Sequence, residues 1–183
     1  ALTQKVREGG RIVNVATVIA VGVNADGHRE VLGLDVITTE DGAGWLAFLR
    51  GLIARGLSGV SLVISDAHSV LVNAIRRCFQ NSAWQRCLVH ANLMTAARPQ
   101  DRQVIAALIR SIFAQPDHTT AVAQLRAVVD QLRPCAPGVA ERLEQMEADL
   151  LAYTAFTVAH WPKIWSNNPI ERLNRELKRR TDV

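Results

Sequence analysis

The chain has 183 residues, 49% of them apolar, and a formal net charge of +4 from 21 Lys and Arg against 17 Asp and Glu, with a pI near 9.4. That is enough apolar material for one domain, or one domain with an insertion, and nothing in it is repetitive or low-complexity. No run of about 18 apolar residues occurs, so no helical membrane span is indicated, and the mild positive charge is compatible with a polyanionic partner without demanding one.

In chain order, residues 2–7 read as a strand turned at Glu8-Gly9-Gly10. Residues 11–23, rich in Val and Ile, form a long second strand, and Asn24-Ala25-Asp26-Gly27 is a hairpin signal. Alternation through Val31, Leu34 and Val36 makes residues 29–38 a third strand, completing an antiparallel meander. The period then changes: Trp45, Leu46, Phe48, Leu49 and Leu52 define a helix over residues 41–54, ended by Gly56. Residues 59–65 (GVSLVIS) are a short apolar run of the kind buried on both faces of a sheet. A helix over 68–78 and a fifth strand over 83–89 follow, giving the order β-β-β-α-β-α-β.

From residue 91 to about 153 strand signals vanish. Residues 101–114, 119–132 and 138–151 carry helical apolar spacing, punctuated by Pro99, Pro116, Pro134 and Pro137. The division expected is therefore a core at 1–90, an all-α insertion at 91–160 and a returning segment at 161–183. That last segment contains a helix with a hard start, Asn167-Asn168-Pro169, an apolar stripe of Ile170, Leu173 and Leu177, and five bases: Arg172, Arg175, Lys178, Arg179 and Arg180. Glu171 and Lys178, seven residues apart, share a face. Taken alone, this is a solvated helix with pairs such as Glu171–Arg175.

Several residues are candidates for chemistry. Asp66 directly follows the buried fourth strand, where open α/β sheets place ligands, although an Asp there also caps the next helix. Metal-dependent phosphoryl transfer needs hard oxygen ligands, and Asp66 and Glu171 are two, able to meet only if the final helix returns to the sheet. Cys87 and His90 form half of a zinc site, with a buried structural pair as the default. His68 could touch phosphate or metal, but a helix-start histidine is more often on the surface. Trp161 and Trp165 could stack on bases, and packing is the plainer reading. Cys78, Cys87 and Cys135 are odd in number without disulfide spacing, and no signal peptide precedes them, so a cytoplasmic location is expected. Opening at Ala1 and stopping just after a basic helix, the chain reads as an excerpt of a longer protein.

The strings Val6-Arg7-Glu8-Gly9-Gly10-Arg11, Gly22-Val23-Asn24-Ala25-Asp26-Gly27, Val63-Ile64-Ser65-Asp66-Ala67-His68, Trp84-Gln85-Arg86-Cys87-Leu88-Val89-His90, Ile112-Phe113-Ala114-Gln115 and Asn168-Pro169-Ile170-Glu171-Arg172-Leu173-Asn174 resemble, in order, the Mutator-type transposases of bacterial insertion sequences. That resemblance implies an α/β, RNase H-like mixed sheet with an all-α insertion before the final helix, and an Asp-Asp-Glu catalytic set working with Mg²⁺ or Mn²⁺. It assigns the second Asp to Asp66, the Glu to Glu171 and a phosphate-holding base to Lys178. Arg175, Arg179 and Arg180 are then expected to position DNA, with double-stranded DNA as substrate, multimers of the chain on paired ends, and no membrane. The first Asp is expected just before Ala1, so the excerpt alone is expected to be inactive. Asp35 is the nearest substitute in sequence and falls outside the implied set. An aromatic is usual where Thr3 or Gln4 stands, and an acid where Ser69 stands. These departures leave a non-catalytic DNA-binding relic, or another RNase H-like nuclease, as alternatives.

Overall fold

The computed structural model describes residues 2–37, 41–88, 93–166 and 168–181. The expected strand ends at Thr38 and Val89, the cap at Asn167, and His90 all lie outside these residues. Two compact units divide the chain: one made of Ala1–Val63, Ala67–Ser82 and Asn167–Val183, the other of Ile64–Asp66 and Ala83–Ser166.

The first unit begins with β1 (Leu2–Glu8) and β2 (Arg11–Val23), antiparallel from Leu2↔Thr17 to Glu8↔Arg11. Gly9 and Gly10 make the two-residue turn with φ of 55° and 81°, a pair of left-handed positions that residues with a Cβ resist. β3 (Arg29–Ile37) pairs with β2 from Ala16↔Ile37 to Val23↔Arg29, with a bulge between Ala20 and Val21. Between the two strands, Asn24 Oδ1 accepts from the His28 N–H at 2.8 Å.

Helix α1 (Gly42–Ala54) is capped by Asp41, whose side chain accepts from the Gly44 N–H at 2.8 Å, and it buries Trp45, Phe48, Leu49 and Leu52. It comes down on the face of the sheet that carries Ala16 and Val18, both buried. At Gly33 a Cβ would stand 2.7 Å from Leu52 Cδ2 and closer still to the Arg55 guanidinium, so a side chain there would force these two side chains to shift. α2 (Ser69–Cys78) packs against α1 through Val72, Ala74 and Ile75. The unit also contains α8 (Asn168–Thr181).

Strand β4 (Leu62–Ser65) pairs with β5 (Ala83–Arg86) in a two-stranded sheet. β4 is shorter than the run 59–65 suggests, because Gly59 adopts φ 65° and turns the chain before the strand begins. The order of elements is the expected one, but the hydrogen bonding among the described residues makes two sheets, β1-β2-β3 and β4-β5, where one mixed sheet was expected.

The second unit is otherwise helical. α3 (Arg102–Phe113) buries Ile105, Ile109 and Ile112; α4 (His118–Leu132), capped by Asp117, buries Leu125, Val128, Val129 and Leu132; α5 (Pro137–Gln145) buries Val139, Ala140 and Leu143. The expected continuous helix over 138–151 is broken. The Met146 N–H bonds back to Leu143 O, a tight closing turn, and α6 (Glu147–Leu150) starts afresh. After α7 (Trp161–Ile164) an aromatic cluster closes the core, with Phe113 on Tyr153 at 6.0 Å, Tyr153 on Trp161 at 5.2 Å and Phe113 on Trp165 at 5.1 Å between centroids. No helix among the described residues is long and apolar enough to cross a membrane.

Candidate functional site

In the helical unit, Asp66 stands immediately after β4 and is half-buried. Ser65, only 8% exposed, holds this strand end. Its hydroxyl donates to Asp66 O at 2.9 Å and accepts from Trp84 Nε1 on β5, also at 2.9 Å. An indole N–H only donates and a serine hydroxyl has one hydrogen, so the direction of both bonds is determined. The Cys87 N–H adds a bond to Ser65 O at 2.8 Å. The peptide that carries Asp66 is thus tied to β5 from two sides. The N-cap of α2 is His68, exposed and making no cap hydrogen bond through its side chain, so the capping position belongs to His68 and not to Asp66.

β5 contributes a second anchor that the sequence reading missed. Gln85 has no exposed surface. Its amide donates to Ile164 O at 3.2 Å and Trp165 O at 3.1 Å, while its carbonyl oxygen accepts from the Tyr153 N–H at 2.7 Å. A polar side chain here is fully used. Its two-residue spacing from Cys87, which is also fully buried, is the signal that could have found it. Arg86, on the other face, pairs with Asp149 at 3.3 Å and lies 5.7 Å from the Trp84 ring centroid.

In the sheet unit, Glu171 sits in the first turn of α8, half-buried, where a carboxylate suits the positive end of the helix dipole. Arg175 and Lys178 are exposed and fall on its side of the helix at steps of four and seven. The expected buried stripe is only partly formed: Leu173 is 38% exposed, against half-buried Ile170 and Leu177. Arg179 and Arg180 are engaged within the helix. Glu176 accepts from Arg179 Nε at 3.0 Å and from Arg180 Nε at 2.9 Å. These guanidinium groups, Arg179 first, hold the Glu176 carboxyl below its ordinary range, and Glu176 in turn raises Arg179. The spacing i,i+3 and i,i+4 made this clamp available.

The remaining candidates separate. Cys87 is buried beside Ser65. Trp161 and Trp165 pack in the aromatic cluster, as the plainer reading had it. Asp35 is exposed on β3, opposite Val18, and accepts from the Val36 N–H at 2.8 Å. Asp66 and Glu171 are hard oxygen donors of the kind Mg²⁺ takes. Among the described residues, however, no group of three or more His, Cys, Asp or Glu side chains is placed to hold a metal ion. The donors fit such an ion in kind and fall short in number.

Comparison with known proteins covers the whole chain. Residues 1–183 match the family model described as Transposase, Mutator family. The chain is 56% identical, over all of its length and 45% of the relative's, to the transposase for insertion sequence element IS1081 of Mycobacterium tuberculosis. It is 42% identical to the transposase for IS406 of Burkholderia multivorans and 36% identical to that for IS256 in transposon Tn4001 of Staphylococcus aureus, in each case over 98% of this chain and 47% of the relative. It therefore spans about half the length of the curated relatives it matches. With a family match from end to end, the chain belongs to the Mutator family of transposases.

Proposed function

We propose that this chain is part of the catalytic core of an insertion-sequence transposase with an RNase H-like fold, acting on phosphodiesters of double-stranded DNA at element ends and target. The observation that carries the reading is the end-to-end family match together with Asp66 at a strand end and Glu171 opening a basic helix. Asp66 and Glu171 are two of three carboxylates that would hold Mg²⁺ or Mn²⁺, an ion that supplies charge stabilisation at the scissile phosphate. Ser65 and Trp84 fix the peptide of Asp66. Lys178 and Arg175 hold phosphate and give register on the duplex without reading its sequence. The protein works as a multimer on paired DNA ends, in the cytoplasm.

The test uses a full-length protein carrying this chain, with element-end DNA and Mg²⁺ or Mn²⁺. Asp66→Asn and Glu171→Gln should each lower strand cleavage on the order of a hundredfold or more while duplex binding persists. Cleavage that survives either substitution would sink the catalytic assignment.

A further inference from the structure

Among the described residues, the β1–β2 ladder extends beyond the β2–β3 ladder. β2 residues Arg11, Ile12, Val13, Asn14 and Val15 pair with β1, while the described ladder with β3 stops at Ala16↔Ile37. This two-stranded arm is turned by Gly9-Gly10, and its two faces differ. Directly opposed residues share a face, so Lys5↔Asn14 and Arg7↔Ile12 place two bases, an amide and an isoleucine side by side. Val6↔Val13 and Gln4↔Val15 form the other face. Lys5, Arg7 and Arg11 are exposed, and Ile12 is 68% exposed. Three bases against Glu8 leave this stretch with a charge of +2.

We propose that the arm is a duplex-DNA contact, separate from the bases of α8, with Lys5 and Arg7 on backbone phosphates and Ile12 against sugar or base edges. This rests on the reading that the protein acts on DNA. Lys5 and Arg7 are two strand steps apart, about 6.8 Å, close enough in spacing for both to reach phosphates of one DNA strand. A two-stranded ribbon is also an element that the major groove admits. The bases favour a polyanion over a second copy of the chain, since two such faces brought together would oppose like charges.

Binding of the 183-residue chain to a labelled duplex, followed against salt, tests the assignment. The double variant Lys5→Ala/Arg7→Ala should lower the slope of log K against log salt by roughly 1.8, about 0.9 per phosphate contact. The charge-keeping pair Lys5→Arg/Arg7→Lys should retain the wild-type slope, with circular dichroism confirming that both variants fold. If wild type binds and the alanine pair binds with the same slope, the arm assignment fails and the DNA reading stands. If wild type shows no salt-dependent binding, the arm assignment fails, and the DNA reading is decided by the full-length cleavage test. A change in sedimentation on substitution, with DNA affinity unaltered, would assign the arm to a second copy and overturn the proposal.

Discussion

Trp84 Nε1 donates to Ser65 Oγ at 2.9 Å, and through that hydroxyl it reaches the carbonyl of Asp66. A strand end that presents a carboxylate is thereby anchored by a neighbouring strand rather than by a helix cap. Ser65→Ala leaves the indole N–H without its acceptor and should cost about 1–2 kcal/mol, and Trp84→Phe, which keeps most of the ring, about 1 kcal/mol. Because the two act through one bond, the double variant should fall short of the sum by roughly 1 kcal/mol in urea unfolding. Full additivity would show that the bond contributes nothing.

Gln85 is fully buried and uses both its amide and its carbonyl oxygen. Gln85→Leu keeps the volume but strands the Tyr153 N–H and two carbonyl groups. A loss of about 3 kcal/mol is expected, visible as a lowered denaturation midpoint with an unchanged m value.

Tyr153 gives the opposite result. Its hydroxyl is buried and has no hydrogen-bond partner among the described residues, and burial pushes its phenol up to about 12. Tyr153→Phe should therefore be neutral or stabilising by up to about 1 kcal/mol at pH 7. The folded-state value lies above the unfolded value near 10, so the unfolded chain releases its proton first and stability falls as pH rises from about 10 to 12. Unfolding curves across that window should show the wild type losing about 2–3 kcal/mol that the phenylalanine variant keeps.

Glu176 restrains two of the bases expected to touch DNA. Glu176→Gln removes the carboxylate that Arg179 and Arg180 share, and duplex affinity at low salt should rise about threefold to tenfold, with a steeper salt dependence. An affinity that stays level would mean these two arginines face away from the bound duplex.

How far the sequence reaches can be seen element by element. Val and Ile alternation, the Gly9-Gly10 turn and the stripe of Trp45, Phe48, Leu49 and Leu52 specify their strands and helix locally, because side-chain period and backbone dihedrals act over a few residues. The order of elements and the helical character of residues 102–150 were legible for the same reason. The tertiary structure decided the rest. A buried Gln85 is favourable only when Tyr153, Ile164 and Trp165 arrive from some 70 to 80 residues away to meet it. Met146 breaks a helix that its spacing would continue, and Leu173 stays 38% exposed although its stripe predicts burial. The final helix, basic and amphipathic by sequence, also acquires the Glu176 clamp, which engages Arg179 and Arg180 within the helix. Periodicity states which residues share a face; only long-range packing determines what that face meets.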